Sequence, residues 1–295
     1  MPSLSCDRCS ETPVLFQRYS GRHLCADHFL RDFESRAKRT IREHGWLLPG
    51  NTIAVALSGK TTGTALLHFL HDLVGRRKDI RFFAITLDED MGGFRDCRGA
   101  TRIAESLGYR CITTTCEDTS GISETDRSDC TDPAPGSSRQ ERPVRLLETV
   151  AKRNGADIIA WDSTLDDCAR AILAQILQGK PVPCSIRGPG EKQIIRMMPF
   201  MSIPGREVAL YIHLKIRGLD PIGRTHEHDL FLDDVNILLE RYAWNHPAAK
   251  FALARLGEEL SSDKDHNLKG DQVNRCDSPG NTDLNSFRSD DKGPS

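Results

Sequence analysis

The sequence predicts an α/β protein in which a parallel sheet carries helices on both faces, preceded by a small N-terminal zinc-binding hairpin. The first observation is that apolar runs alternate with amphipathic segments between about residues 51 and 260. Such alternation is typical of a parallel sheet whose strands are buried on both faces. The second observation is a set of closely spaced metal-ligand residues within residues 1–30: Cys6, Cys9, Cys25 and His28.

The composition predicts a cytoplasmic globular protein without a membrane segment. The 295 residues are 38% hydrophobic and carry a net charge of −2. They contain no run of about 18 apolar residues and no apolar start like that of a signal peptide. In the cytoplasm, ten cysteines favour metal ligation, catalysis or burial over a disulfide framework. The near-neutral charge gives no global signature of nucleic-acid binding, although a local basic patch can still attract RNA.

The composition changes along the chain in a way that predicts four zones. Residues 1–30 form the zinc-binding hairpin, and residues 31–50 form a basic linker whose amphipathic helix covers residues 31–45. Residues 51–260 form a nucleotide-binding domain. Residues 261–295 have almost no large apolar side chains, so we expect a disordered polar tail.

The central zone divides into predicted strands and helices. We expect strands at Thr52–Leu57, Arg81–Leu87, Cys111–Thr115, Asp157–Ala160 and Ile194–Met198. We expect helices at Thr64–Val74, Asp96–Leu107, Val144–Asn154, Asp166–Gln178 and Pro204–Arg217, the last with proline in its first turn. Ligands of parallel sheets bind at the carboxyl ends of the strands, so the candidate site lies in the turns that follow them.

The N-terminal cysteines and histidine have the spacing of a structural zinc site. Cys6-x2-Cys9 and Cys25-x2-His28 are two ligand pairs separated by an insert of hairpin size. Zinc binds thiolates and neutral imidazole tetrahedrally, and protein ligands fill all four positions here. The alternative is a set of buried cysteines, but so short a segment has no core in which to bury them. His23 lies outside this spacing, and we expect it to be exposed.

The turn Ser58–Gly63, with the sequence SGKTTG, is a candidate phosphate-binding loop. A strand, a loop of small residues and a helix start present backbone amides to an anion. A Walker A motif needs GxxxxGK followed by Ser or Thr, and its first glycine would fall at Ala54, inside the strand. A PP-loop and an ordinary strand–turn–helix are the other interpretations.

Residues 53–67, IAVALSGKTTGTALL, resemble the SGGKDSxxLL motif that follows a strand in PP-loop enzymes of tRNA 2-thiolation. The resemblance extends over most of residues 4–260 and includes the N-terminal hairpin. LDEDMGGFRD (87–96) is similar to the family's VDEGIxGYRD, and DSTLDDCA (162–169) is similar to its GHNLDDxA. HPAAKFALAR (246–255) is similar to HPGTKFSLLR.

The resemblance implies a Rossmann-like fold and a known chemistry. Family members use ATP with Mg²⁺ to adenylate a uridine carbonyl in tRNA, and sulfur then replaces the activated oxygen. The implied nucleotide-binding residues are Ala56, Ser58, Gly59, Lys60, Thr61, Thr62, Gly63, Asp88, Asp166 and Asp167. Helix capping is the alternative role for Asp88, Asp166 and Asp167. The implied catalytic residue is Cys130.

The chain departs from the family at the residues that carry its chemistry. Lys60 stands where the family has glycine, Thr61 where it has lysine, Thr62 where it has aspartate and Gly63 where it has serine. Cys130 begins a CxxC pair whose second position is Pro133, and the distant third cysteine is missing near residues 225–227. We therefore expect no iron–sulfur cluster. Two hypotheses stay open: an ATP-dependent tRNA 2-thiouridine sulfurtransferase, and a catalytically silent paralogue that binds tRNA, a nucleotide or a sister enzyme.

Basic side chains suggest where tRNA binds. The predicted contacts are Arg31, Arg36, Lys38, Arg39 and Arg42 on the basic helix, with Arg139, Arg142 and Arg145 further along. A solvated helix face interspersed with Glu34 and Glu43 is the alternative. The resemblance also implies a sulfur-carrier protein, a paralogous thiolation enzyme or a second copy of the chain as partners.

Overall fold

The structure is a computed structural model that describes residues 5–75, 77–88, 97–115, 141–180, 194–216 and 230–260. The strands are β1 Leu15–Gln17, β2 Arg22–Leu24, β3 Thr52–Leu57, β4 Arg81–Asp88, β5 Cys111–Thr115, β6 Ile158–Ala160 and β7 Ile195–Met197. The helices are α1 Ala26–Glu43, α2 Thr61–Val74, α3 Cys97–Ser106, α4 Glu141–Arg153, α5 Leu165–Leu177, α6 Gly205–Lys215, α7 Leu230–Asn245 and α8, residues 249–260.

Five strands form one parallel sheet in the order β5-β4-β3-β6-β7. In the central strand β3, Val55 pairs with Ala84 of β4 on one side and with Ala160 of β6 on the other. The chain therefore builds the sheet outward from β3 to β5 and then returns to the opposite side of β3. Ligands of such sheets bind at this reversal, in the crevice beyond the carboxyl ends of β3 and β6.

Helices cover both faces of the sheet, which confirms the predicted fold class. All six residues of β3 are buried, and its side chains point alternately to two apolar clusters. One cluster contains an aromatic stack in which Phe33 of α1 lies 4.1 Å from Tyr211 of α6 and 5.2 Å from Phe200. The other cluster packs Leu146 of α4 against the opposite face. No helix within these described ranges is long and apolar enough to cross a membrane.

The first helix differs from the prediction. It begins at Ala26 instead of residue 31, and Cys25 is its N-cap. Its apolar stripe (Phe29, Phe33, Ala37 and Ile41) is buried, so the helix belongs to the core although its sequence resembles a basic linker. The prediction placed the helix too late because it followed the basic run instead of the apolar spacing that starts at Phe29. The four proposed zones stay a prediction, and residues 261–295 lie outside the described ranges.

Candidate functional site

The N-terminal hairpin brings the four predicted metal ligands together. Cys6 and Cys9 lie on a turn in which the Cys9 amide donates to the Cys6 carbonyl at 3.2 Å. Strands β1 and β2 then pair antiparallel and return the chain to Cys25, which is followed by His28 in the first turn of α1. A turn and a helix start therefore each contribute two ligands to one point.

The donor atoms have the spacing that a zinc ion requires. His28 Nδ1 lies 3.6, 3.4 and 3.3 Å from the sulfur atoms of Cys6, Cys9 and Cys25. The sulfur atoms of Cys9 and Cys25 are 3.6 Å apart. Tetrahedral zinc with its usual bond lengths separates such atoms by ~3.6–3.8 Å. Three thiolates and one imidazole nitrogen complete the coordination of zinc, so the site suits a structural ion.

The backbone around Cys6 favours the thiolate form that zinc binds. Burial raises the pKa of the Cys6 thiol, but backbone hydrogen bonds from Cys25 and Arg8 outweigh this effect and lower the pKa to about 6. Zinc displaces the thiol proton, so a lowered pKa makes binding easier at neutral pH. His23, which we expected to be exposed, is half-buried and stacks on Phe16 at 4.5 Å.

A buried polar cluster fixes the hairpin to the sheet domain. This Glu207 cluster consists of Gln17, Tyr19, Asp32, Arg36 and Glu207. The Glu207 carboxylate of α6 is fully buried and accepts from the Tyr19 hydroxyl at 3.1 Å, the Gln17 amide at 3.4 Å and the Arg36 guanidinium. Burial raises the pKa of the Tyr19 phenol, which therefore stays a donor. Hairpin, α1 and α6 are thus joined through one carboxylate.

The candidate phosphate loop lies at the reversal of the sheet. β3 ends at Leu57, Gly59 turns the chain with a φ of 70°, and α2 begins at Thr61. The N-cap, Lys60, is exposed and makes no side-chain capping hydrogen bond, while its amide donates to Ser58 Oγ at 3.3 Å. The loop therefore has the strand–turn–helix form that the motif predicts, at the edge where ligands of parallel sheets bind.

An aspartate that the sequence analysis did not assign to the site lies inside this loop. Asp162 follows β6, the neighbour of β3, and its Oδ2 accepts from Ser58 Oγ and Thr62 Oγ1, each at 2.6 Å. Gly63 packs closely beside it, since a Cβ there would lie 3.2 Å from the Ser58 amide nitrogen and 3.4 Å from Asp162 Oδ2. An acidic residue directly after a buried strand is a signal for this position, but the sequence does not reveal that β6 adjoins β3.

Two other predicted nucleotide-binding residues, Asp88 and Ala56, lie at or near the carboxyl ends of the strands. Asp88 ends β4, beside β3, and its carboxylate contacts the Cys97 thiol at the start of α3. Burial and the hydrogen bond to Asp88 raise the pKa of Cys97, so this thiol stays protonated at neutral pH. The Ala56 side chain is buried within β3, so only its backbone is available to a ligand.

Asp166 and Asp167 have structural partners. Asp167 and Thr164 form a capping box at the start of α5, and Asp167 also pairs with Arg170 at 3.0 Å. Asp166 accepts from Lys250 Nζ of α8 at 2.6 Å and from the Gly205 amide of α6 at 2.6 Å. The capping box matches the capping interpretation for Asp167, whereas Asp166 contacts Lys250 and the first amide of α6. The Asp166 contact also gives Lys250 a role that the motif HPAAKFALAR did not reveal.

One predicted RNA contact points into the protein, and some of the others lie outside the residues that the structure describes. Arg36, which we predicted to contact RNA, instead directs its guanidinium to Glu207 and Asp32. The side chains of Arg31, Arg39 and Arg42 are exposed, as the prediction requires. Cys130 and Arg139 lie outside the described ranges, and so does the side chain of Arg142.

Comparisons with known proteins agree with the motifs. Residues 5–30 match the N-terminal LIM domain of the 2-thiouridine synthetase TtuA. The chain is 31% identical to the tRNA 2-thiolation protein NcsA of Haloferax volcanii, over 93% of each chain. It is 28% identical to the cytoplasmic tRNA 2-thiolation protein 1 of Bos taurus, over 88% of this chain and 79% of the relative.

A solved structure shows the same fold. The U34-tRNA thiolase NcsA from Methanococcus maripaludis, described with its 4Fe–4S cluster, superposes with a TM-score of 0.75 at 20% identity, over 89% of each chain. At 20% identity, the structural similarity shows that the two chains share a fold, and it shows no more than that. The family follows from the match with the Haloferax protein, which covers 93% of this chain. This chain belongs to the TtuA/NcsA-type tRNA 2-thiolation family of the PP-loop superfamily.

Proposed function

We propose that this protein is a tRNA 2-thiouridine sulfurtransferase, which exchanges a uridine carbonyl oxygen in tRNA for sulfur at the expense of ATP. The observation that carries this proposal is the position of the loop Ser58–Gly63 at the sheet reversal, in a chain whose relatives are tRNA 2-thiolation proteins. ATP, when bound, supplies the adenylyl group that makes the uridine oxygen a leaving group. The substitutions in the loop motif are what support the silent-paralogue alternative, and the tRNA experiment below distinguishes the two functions.

The residues of the loop are suited to holding a nucleotide's phosphates. The start of α2 offers backbone amides and the positive end of the helix dipole, and no side chain caps them. The exposed ammonium group of Lys60 is a further donor, whereas the hydroxyls of Ser58 and Thr62 donate to Asp162. Lys60 stands one residue before the lysine of the family motif, so we propose that it reaches the phosphates from the N-cap of α2.

The exposed basic side chains of α1 are proposed to contact the phosphates of tRNA. Arg31, Arg39 and Arg42 lie on the solvent side of the helix, while its apolar stripe faces the core. Such contacts are independent of sequence and weaken with salt. Among the partners that the family implies, a sulfur carrier, a sister enzyme and a second copy remain proposals.

Loss of this protein should remove a 2-thiolated nucleoside from tRNA. Cells that lack the protein are compared with cells that express the wild-type chain, and their tRNA nucleosides are quantified by mass spectrometry. We expect one 2-thiouridine derivative to disappear and to return with the wild-type chain. The purified protein should then form that nucleoside in unmodified tRNA when ATP and sulfide are supplied. An unchanged nucleoside profile in the deleted strain would contradict the proposed function.

The metal content of the purified protein should be one zinc per chain without stoichiometric iron. The zinc expectation follows from the four ligand atoms in the hairpin. The iron expectation follows from Pro133, which replaces a cluster cysteine beside Cys130. The measurement is elemental analysis of protein purified anaerobically and reconstituted with iron and sulfide. About four irons per chain, with the absorbance of a cubane cluster, would show that residues other than a CxxC pair at Cys130 complete the ligands of an iron–sulfur cluster.

A further inference from the structure

A negative charge lies inside the candidate phosphate loop. One oxygen of Asp162 accepts from both the Ser58 and the Thr62 hydroxyl, each at 2.6 Å. These are hydroxyls that a phosphate at this loop would itself use. In the described part of the chain, Asp166 pairs with Lys250 and Asp167 with Arg170, whereas Asp162 has no ion pair. No basic side chain among the described residues therefore neutralises its charge.

This charge opposes the binding of a free phosphate. Two unit negative charges ~4 Å apart repel strongly enough, at the effective dielectric constant near a protein surface, to weaken binding about a thousandfold. A divalent cation between them reverses the sign of the interaction. Magnesium is commonly held by one or two carboxylates together with phosphate oxygens, and in some phosphate loops a hydroxyl from the loop completes its ligands.

The position of the carboxylate also follows from the sequence comparison. The motif SGGKDS has aspartate where this chain has Thr62, and the motif GHNLDD has glycine where it has Asp162. The structure joins these two positions by a hydrogen bond of 2.6 Å. The carboxylate has therefore moved from the loop to the end of the neighbouring strand, while remaining at the same point of the site.

We propose that Asp162 is a specificity-determining residue that makes the loop accept nucleotide phosphates only together with a divalent cation. The Asp162 carboxylate would hold the cation beside the phosphates, with the oxygen atoms of Ser58 and Thr62 as further ligands. This inference rests on the proposed function only in taking a nucleotide as the ligand. It does not depend on whether sulfur is transferred to tRNA.

Isothermal titration of the full-length, zinc-loaded protein with ATP tests this role. Titrations in excess Mg²⁺ and in a magnesium-free buffer give the ratio of the two dissociation constants. A chelator too weak to remove the structural zinc keeps that buffer free of Mg²⁺. For the wild type we expect Mg²⁺ to tighten binding at least ~100-fold. Asp162→Asn keeps the shape and one acceptor but loses the charge. The Asp162→Asn variant should bind metal-free ATP much more tightly than the wild type does. Its dissociation constants with and without Mg²⁺ should therefore be nearly equal.

Two further variants separate charge from structure. Asp157→Asn, at the opposite edge of the same sheet, should keep the wild-type ratio, because the Asp157 carboxylate accepts from the Thr52 amide there, away from the loop. The exchange Thr62→Asp with Asp162→Gly should restore the magnesium dependence that Asp162→Asn loses, which covers the case in which the single variant folds poorly. A wild type that binds ATP equally well without Mg²⁺, or not at all with it, overturns the proposal. So does an Asp162→Asn variant with the wild-type ratio. Retained or lost tRNA thiolation is a separate result that bears on the proposed function alone.

Discussion

Replacing Cys25 by serine should remove zinc from the protein and lower its melting temperature by roughly 10 °C. Cys25 is one of three thiolates around the His28 nitrogen, and it is also the N-cap of α1. Serine has nearly the same size and caps helices better than most residues, so the variant weakens only the metal site. Structural zinc contributes folding free energy directly, and a hairpin of this size has little core to replace it.

The loss should extend beyond the hairpin. Gln17 and Tyr19, at the far end of the hairpin, reach the buried Glu207 carboxylate of α6. Arg18 donates to the Trp244 carbonyl of α7 at 2.8 Å, and Tyr19 packs on Phe251 of α8 at 4.8 Å. A hairpin that opens without zinc loses these contacts together. We therefore expect increased hydrogen exchange in α7 and α8 as well as in residues 5–25.

The matched control is Cys111→Ser, which alters a cysteine of β5 that the metal site does not use. It should keep one zinc per chain by elemental analysis and change the melting temperature by only a few degrees. Thermal unfolding followed by circular dichroism gives the comparison. If Cys25→Ser retained zinc, or lost it without a lower melting temperature than Cys111→Ser, the hairpin would not depend on the ion for its stability.

The sheet could be predicted because its strands are continuous apolar runs. Thr52–Leu57 and Cys111–Thr115 have the predicted bounds, and the other three strands of the sheet differ from the prediction by one residue at one or both ends. α7 was not predicted as a separate element, since large apolar side chains such as Leu230, Ile237 and Trp244 are exposed on it. An exposed apolar residue gives no periodic contrast with a polar face, so its helix has no clear amphipathic signal.

The site could be predicted only where its residues are neighbours in sequence. The four zinc ligands form two short motifs, and a zinc ion needs little beyond their spacing. Asp162 was missed because its partners lie 104 and 100 residues away and meet it only through the order of the strands. Arg36 was assigned to RNA because a run of basic residues does not show which of them turns inward.

The inward position of Arg36 predicts a large effect when its ion pair with Glu207 is broken. The Arg36 side chain is 17% exposed and that of Glu207 is fully buried. Removing one partner of a buried pair leaves an uncompensated charge, which costs about 3–5 kcal/mol. Arg36→Met should be the more damaging single change, since it leaves the fully buried carboxylate without a cation. Glu207→Leu leaves Arg36 with Asp32, 3.2 Å away, and with the Tyr19 ring.

The double variant distinguishes an unpaired charge from lost packing. Among the described residues, Arg36 Nη1 and Glu207 Oε1 have no hydrogen-bond partner, so the pair is incompletely satisfied. Replacing both partners of such a pair by apolar residues is often nearly neutral. Arg36→Met with Glu207→Leu should therefore recover most of the free energy of unfolding that either single variant loses, as measured by urea denaturation. Lys38→Met on the same helix removes a half-buried pair with Glu34, which keeps Lys215 as a partner, and should cost less than ~1 kcal/mol.

Binding of tRNA separates the two roles that a basic residue of α1 can have. If Arg36 acts through Glu207, its Met variant should keep the wild-type affinity for tRNA under conditions in which it is folded. Arg39→Ala should instead weaken tRNA binding and reduce its salt dependence, with little change in stability. Additive losses in the double variant, together with weaker tRNA binding by Arg36→Met, would mean that Arg36 reaches the RNA. The carboxylate would then have to hold the hairpin through Gln17 and Tyr19 alone.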